Sequence, residues 1–126
     1  MPVWQGKSKR GPSGSRYRAS RKHRKYERGS QATETILGKR KLRKKRTLGG
    51  NEKLRLLAVN FANLTDREAG TCEKVKIIQV LENPSGVDLN RRGVITKGAI
   101  IETEKGKAQV TSRPGQSGVV DAIKLR

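Results

Sequence analysis

Aromatic residues, cysteine and long apolar runs are scarce in this chain of 126 residues, and each shortage argues against a class of structure. Aromatic residues make up 3% of the sequence and hydrophobic ones 32%, so we do not expect one core to span the whole chain. Cys72 is the only cysteine, which excludes an intrachain disulfide and a cysteine-pair zinc site. The longest apolar run, residues 56–59, is too short to span a bilayer, and we expect no signal peptide.

Positive charge is what the chain has in excess. Its 30 Lys and Arg residues against 11 Asp and Glu give a formal net charge of +19 and an isoelectric point near 11.0. A compact chain with this charge repels itself unless a polyanion neutralises it. The balance argues against an ordinary soluble metabolic enzyme and favours nucleic acid as the partner. A membrane surface fits less well, because the most basic segment has no sustained apolar face.

Charge and apolar residues are concentrated in different parts of the chain. Residues 1–50 contain 17 Lys and Arg and 2 acids, whereas residues 51–126 contain 13 Lys and Arg and 9 acids. The net charges are therefore +15 and +4, and most large apolar residues lie in the second part. A segment that cannot bury enough apolar area does not offset its ordering entropy. We predict a basic arm over residues 1–35, disordered when free, and a folded domain over residues 36–126.

Basic residues of the predicted arm are interleaved with three of the four aromatic residues. Basic side chains neutralise phosphates and aromatic rings stack on unpaired bases, so the arm is typical of nucleic-acid binding. The alternative is a solvated charge run or a localisation signal. Residues 16–28 lack Gly and Pro and are able to become helical on an anion, although their like charges oppose a free helix. The RNA-binding candidates in the arm are Trp4, Lys7, Lys9, Arg10, Arg16, Tyr17, Arg18, Arg21, Lys22, Arg24, Lys25, Tyr26 and Arg28.

A second basic cluster begins the predicted folded domain. If residues 39–46 form a strand, both of its faces are charged except at Leu42, so neither is an ordinary core face. A strand laid along a phosphate backbone explains this pattern, and the alternative is an edge strand protected by charge. The candidates in this cluster are Lys39, Arg40, Lys41, Arg43, Lys44, Lys45 and Arg46. Loop cations for which ordinary turn chemistry is the alternative are Arg91, Arg92, Lys97 and Arg113.

Short apolar runs separated by Gly and Pro predict about six strands in the second part of the chain. Residues 39–47 and 54–62 form a hairpin around a Gly49-Gly50-Asn51 turn. Lys alternates with Val and Ile at the start of residues 73–81, as in a half-buried strand. Further strands are predicted over residues 94–95 and 99–101, then 108–111 and 119–125, with turns at 83–86, 104–107 and 113–118. The predicted fold class is mainly β, a small closed β-barrel with a basic, flexible N-terminal extension.

No constellation of residues indicates catalysis, a metal or a cofactor. His23 lies among arginines with no nearby cysteine or carboxylate pair, so a base or ligand role is not expected. The acids do not gather beside a nucleophile, and no phosphate-binding GK[ST] motif is present. We therefore predict that the chain is not an enzyme, has no cofactor and takes no small-molecule substrate. A nuclease is the enzymatic alternative, and a DNA-compacting protein is the alternative among binding proteins.

Motifs spread over nearly the whole chain carry a family resemblance. They are residues 4–6 (WQG), 8–10 (SKR), 12–14 (PSG), 24–27 (RKYE), 46–47 (RT), 49–51 (GGN), 82–84 (ENP), 95–103 (ITKGAIIET) and 110–116 (VTSRPGQ). The last two are long and specific. With them the chain resembles small-subunit ribosomal protein number eight of the archaeal and eukaryotic type, in its short archaeal form.

The resemblance implies a structural ribosomal protein without enzymatic activity, in which a β-barrel carries a basic extension along ribosomal RNA. It implies contacts with small-subunit ribosomal RNA and neighbouring ribosomal proteins, a monomer outside the ribosome, and a cytoplasmic location in ribosomes. The eukaryotic members carry a long insertion that this chain lacks. Residues 39–46 are more uniformly basic than the alternating valines expected there. A longer ribosome-assembly factor with the same barrel is the nearer alternative.

Overall fold

The chain divides into two compact units, Met1–Ala32 and Thr33–Arg126. A computed structural model describes residues 3–125. Within that range the structure is mainly β and contains a closed barrel, so the predicted fold class is confirmed. Thr33 to Thr35, placed in the arm by the sequence, belong to the second unit.

The N-terminal unit is held by backbone pairing rather than by a core. Its strands β1 (Val3–Trp4) and β2 (Arg28–Gly29) run antiparallel, and a 3-10 turn over Lys25–Glu27 leads into β2. No side chain of residues 3–32 is buried. The helix that residues 16–28 are able to form is absent apart from that single turn. Like charges four residues apart along this segment oppose a helix.

A basic hairpin opens the second unit. Strand β4 (Lys41–Arg46) pairs antiparallel with β5 (Glu52–Val59), and β3 (Ile36–Leu37) pairs in parallel with the other side of β5. Between β4 and β5 the backbone takes a φ of +79° at both Gly49 and Gly50, which only glycine adopts without strain. The predicted hairpin and its turn are therefore confirmed. Strand β4 lies at the edge of this sheet. This position agrees with the alternative interpretation of the basic cluster, an edge strand protected by charge.

Five strands close into the barrel in the order β10-β6-β7-β8-β9. They are β6 (Phe61–Asp66), β7 (Thr71–Glu82), β8 (Ile100–Thr103), β9 (Gly106–Val110) and β10 (Asp121–Lys124). Strand β10 pairs antiparallel with β9 and parallel with β6, and these two ladders complete the closure. Closure leaves none of the five strands with an open edge.

Four features differ from the sequence prediction. The strand predicted over residues 54–62 ends at Val59, and Phe61 begins β6 after a bend at Asn60. The carbonyl of Asn60 accepts a hydrogen bond from the Ile77 backbone, which brings β7 alongside the bend. A short helix α1 (Val87–Arg91) was not predicted, and the turn at residues 113–118 contains one helical turn, α2 (Pro114–Ser117). Residues 94–95 are buried but form only an isolated bridge at Ile95.

Small aliphatic residues fill the core. Alternation in β7 places Val75 and Ile77 inside and Lys74 and Lys76 outside, as predicted. The same cluster contains Leu56 of β5, so the basic hairpin and the barrel share one core. Five strands enclose a narrow interior that Ala, Val, Leu and Ile side chains can fill. The second unit therefore has the buried apolar area that the first unit lacks.

Asn83 fixes the segment after β7. Its side-chain nitrogen donates to the Val94 carbonyl at 2.7 Å, and its side-chain oxygen accepts from the Thr96 hydroxyl at 2.9 Å and the Ser85 backbone at 3.0 Å. The residue is 4% exposed. A buried carbonyl or hydroxyl that loses its partner costs more free energy than the hydrogen bond contributed. Asn83 therefore stabilises the loop that carries α1.

Thr35 joins the start of the second unit to the hairpin. Its hydroxyl donates to the Leu56 carbonyl at 2.7 Å, and its own carbonyl accepts from the Ile95 backbone at 2.8 Å. The residue is 1% exposed. Both partners are themselves buried, so these hydrogen bonds have no solvent replacement. The second unit needs Thr35, although sequence reasoning assigned it to the arm.

Asn83→Ala should lower the free energy of unfolding by about 1–3 kcal/mol, because the buried Val94 carbonyl loses its donor. The matched control is Asn51→Ala, which removes an exposed amide that donates at 3.4 Å to the Leu48 carbonyl. That change should cost less than about 0.5 kcal/mol. Urea unfolding monitored by circular dichroism measures both. Equal costs for the two variants would contradict the role assigned to Asn83.

Deleting residues 1–32 should leave a cooperative thermal unfolding transition, because the barrel core lies wholly in the second unit. Deleting residues 1–35 should lower stability further, by about 1–3 kcal/mol, since Leu56 and Ile95 lose their buried partners. Calorimetry on the two truncated proteins measures the difference. Identical transitions would show that Thr35 contributes nothing, and loss of folding in the shorter deletion would show that the first unit is required.

Candidate nucleic-acid interface

The outward face of the basic hairpin brings like charges directly opposite one another. In the β4–β5 ladder Arg43 lies opposite Arg55 and Lys45 opposite Lys53. Cross-strand neighbours have Cβ atoms about 4.5–5.5 Å apart, and like charges at that spacing are destabilising. Among residues 3–125 no carboxylate lies within ion-pair distance of Arg43, Lys45 or Lys53. The hairpin therefore presents a concentrated positive field on one face.

Sequence reasoning missed half of this face. Lys53 and Arg55 were not among the candidate residues, because they lie in the more apolar strand of the hairpin. The signal was available: the two-glycine turn fixes the register, and the register places them opposite Lys45 and Arg43. We name these four residues, Arg43, Lys45, Lys53 and Arg55, the hairpin cation patch.

The other face of β4 is divided between the core and solvent. Leu42 is half-buried and packs against the core cluster, which explains the one apolar residue in the basic segment. Lys44 lies 3.4 Å from the Glu52 carboxylate in an exposed ion pair. Lys39, Arg40, Lys41 and Arg46 are exposed. Residues 39–46 thus contribute one apolar side chain, Leu42, to the core and leave all seven predicted cations at the surface.

In the N-terminal unit the predicted basic residues are all exposed, but they are not all unpaired. Arg21 forms an ion pair with Glu27, whose carboxylate also accepts from the Arg24 backbone at 2.9 Å. The Arg21 hydrogen bond holds the pKa of Glu27 below its usual value, and the pKa of Arg21 is correspondingly raised. The exposed residues without an ion pair among those described are Lys7, Lys9, Arg10, Arg16, Arg18, Lys22, Arg24, Lys25 and Arg28.

Aromatic rings of this unit contact neighbouring polar groups. The Trp4 and His23 rings have centroids 3.7 Å apart with planes tilted by 40°. The ammonium group of Lys7 lies 4.3 Å from the centre of the Tyr17 ring. Tyr26 is 80% exposed and stands apart from these contacts. Sequence reasoning gave no role to His23, which the structure places against the indole.

The four predicted loop cations of the second unit have different surroundings. Arg92 donates to Glu34 at 3.1 Å and to Asp88 at 2.8 Å, and the Glu34 hydrogen bond raises the pKa of Arg92. It thus ties α1 to the segment before β3. Arg91, Lys97 and Arg113 are exposed without an ion pair among the described residues. The structure therefore gives Arg92 a structural contact and leaves the other three side chains available for an anion.

The described residues contain no cluster of side chains typical of a metal centre. Within residues 3–125 no three His, Cys, Asp or Glu side chains gather closely enough to hold a metal ion. Cys72 is exposed, and its sulfur accepts a hydrogen bond from the Thr65 hydroxyl at 3.7 Å. No helix in the described part of the chain is both long enough and apolar enough to cross a membrane.

Comparison with known proteins assigns the chain to a family. The family model described as Ribosomal protein S8e matches residues 4–125. Small ribosomal subunit protein eS8 of Methanocorpusculum labreanum is 48% identical over 121 residues, covering 96% of this chain and 97% of its own. The proteins of the same name from Methanococcus aeolicus and Methanobrevibacter smithii are 49% and 50% identical, each covering 98% of this chain and 97% and 98% of their own. The resemblance predicted from the motifs is confirmed, and the chain belongs to the ribosomal protein S8e family.

Proposed function

We propose that this protein is a structural constituent of the small ribosomal subunit that binds ribosomal RNA mainly through phosphate contacts. The observation that carries the proposal is the hairpin cation patch, where like charges face each other across a strand ladder. Among residues 3–125 Lys45 and Lys53 lie opposite each other with no carboxylate within ion-pair distance, so an anion that binds them relieves a destabilising contact. The relatives' name, small ribosomal subunit protein eS8, supports the ribosome as the source of that anion.

Regularly spaced cations on a rigid strand suit a nucleic-acid backbone. Phosphate contacts fix the position of a protein on RNA without reading its sequence, and folded RNA is recognised largely by shape. The hairpin offers Arg43 and Lys45 at two-residue spacing on one face, beside two cations of the next strand. Arg91, Lys97 and Arg113 supply further exposed cations on the loops of the second unit. This unit would dock on the RNA surface as a preformed body.

The N-terminal unit would bind differently. No side chain of residues 3–32 is buried, so hydrophobic burial by these residues gives the unit little stability in isolation. We propose that residues 1–32 become fully ordered only when RNA phosphates neutralise their basic side chains. The unit then extends the interface into crevices between RNA helices. Neighbouring ribosomal proteins are the other partners we propose, with the chain a monomer outside the ribosome and the ribosomes of the cytoplasm its location.

Replacing both Arg43 and Lys45 by glutamine should weaken RNA binding and stabilise the free protein. Two lost phosphate contacts should reduce the slope of log affinity against log salt by about 1.5. Removing two like-charge pairs should raise the free energy of unfolding by about 0.4–2 kcal/mol. Filter binding to small-subunit ribosomal RNA across a salt series and thermal unfolding of the free protein measure the two effects.

The matched control removes the same charge from the barrel, at Lys76 and Lys107. These lysines lie opposite Phe61 and Glu102, so neither faces a cation across the ladder. The control should not raise the free energy of unfolding. It should change the slope of log affinity against log salt by less than the hairpin variant does. If the hairpin variant gains stability but binds RNA with an unchanged slope, the patch does not contact phosphate and the proposal is wrong.

Sedimentation of a cell lysate on sucrose gradients tests the ribosomal assignment directly. We expect the protein in stoichiometric amount in mature small subunits and in translating ribosomes, at moderate and at high salt. Detection by mass spectrometry against other small-subunit proteins gives the stoichiometry. Presence only in precursor particles would identify an assembly factor instead, and presence with DNA would identify a DNA-compacting protein.

A further inference from the structure

A cavity of about 460 Å³ lies within the N-terminal unit, and its wall combines rings with cations. The rings are Trp4, Tyr17 and His23, and the cations include Arg10, Arg16 and Arg18. We propose that this cavity receives a single unpaired nucleobase of the bound RNA. The inference rests on the proposed function and names a site within it that phosphate binding alone does not require.

The position of the Trp4 ring is fixed by three contacts. Its indole nitrogen donates to the Lys7 carbonyl at 3.2 Å, and its ring stacks against His23. A Cβ on Gly6 would overlap the indole ring, so only glycine allows the backbone to pass so close. The Trp-Gln-Gly motif therefore fixes the position of the Trp4 ring in addition to contributing to strand β1.

The opposite part of the wall is a closed loop. The Tyr17 backbone donates to the Lys9 carbonyl at 3.0 Å, and Gly11 donates to the Ser15 carbonyl at 2.8 Å. Arg10 and Arg16 lie opposite each other in an antiparallel bridge at the base of this loop. Loop closure therefore brings Tyr17, Arg10 and Arg16 close together in the cavity wall.

The chemistry of the wall selects the ligand. Aromatic rings stack on any base because every base presents a π-face, and arginine adds a cation–π contribution. The cations neutralise the phosphates that flank a stacked nucleotide. No carboxylate is among the described residues that line the cavity, and its lysines and arginines repel a cationic ligand. The volume lies within the range of about 300–1,000 Å³ that is typical of small-ligand sites. An isolated phosphate would not use the rings, and an apolar peptide side chain would not use the cations.

A double-mutant cycle on the full-length protein tests the site. One RNA hairpin carries a single unpaired adenosine, a second carries an abasic nucleotide at the same place, and a third is fully paired. We expect Tyr17→Ala to weaken binding of the adenosine hairpin by roughly 5- to 100-fold, the effect of losing one base–aromatic stack. The wild type should bind the abasic hairpin more weakly than the adenosine hairpin, by a similar factor. Tyr17→Ala should bind the abasic hairpin as tightly as the wild type does. Such non-additivity places the base against the ring.

Two protein controls separate stacking from folding and from general charge. Tyr17→Phe keeps the ring and should retain the affinity of the wild type. Phe61→Ala removes an exposed aromatic ring from the second unit, outside the cavity, and should change affinity by less than about twofold. Trp4 is the only tryptophan, so its fluorescence reports occupancy in the unsubstituted protein. The adenosine hairpin should quench this emission and the abasic hairpin should not.

Failure of the cavity and failure of the proposed function give different results. If all three hairpins bind with a steep salt dependence but Tyr17→Ala and the abasic change are additive, the cavity proposal is overturned and phosphate binding stands. Equal quenching of Trp4 by the adenosine and abasic hairpins would overturn it as well. If none of the RNAs binds at moderate salt, the proposed function fails together with the inference.

Discussion

Repulsion between like charges is the constraint on which the rest of this structure depends. The cross-strand pairs Arg43–Arg55 and Lys45–Lys53 each place two cations on one face of a two-strand ladder. This conflict is tolerable because the remainder of the second unit is a closed barrel with a shared apolar core, to which the hairpin contributes Leu56 and Val59. The stability of the barrel thus allows a surface that would not be stable by itself.

The two units accommodate their positive charge in different ways. The second unit holds its cations on a preformed strand ladder. Most of the conformational entropy of these residues is therefore lost when the protein folds, before an anion binds. The N-terminal unit has a strand pair and hydrogen-bonded loops, but its described residues, 3–32, bury no side chain, so its order depends more on the bound anion. A preformed surface gives a fixed docking geometry, and a segment ordered by its partner reaches into spaces that a barrel cannot enter.

Sequence patterns predicted the parts of the fold that depend on local periodicity. Alternation identified β7, and the Gly49-Gly50-Asn51 turn identified the β4–β5 hairpin. They failed where tertiary contacts decide the outcome. Strand β6 contains Asn63 and Asp66, residue types of low β propensity, and it forms because β7 and β10 pair with it on both sides. Thr35 gave no signal at all, because its two buried hydrogen bonds join residues distant in sequence.

The candidate interface also shows a limit on what can be predicted from the sequence. Composition identified which residues carry charge, but only the structure shows which charges are already satisfied. Arg92 contacts two carboxylates, so a phosphate would have to replace both, whereas the hairpin cation patch repels itself. Exposed ion pairs are worth little, and Arg21 could exchange Glu27 for a phosphate at small cost. The free energy available from RNA therefore differs among side chains that look equivalent in the sequence. It is greatest where the free protein holds like charges opposite each other, as at Lys45 and Lys53.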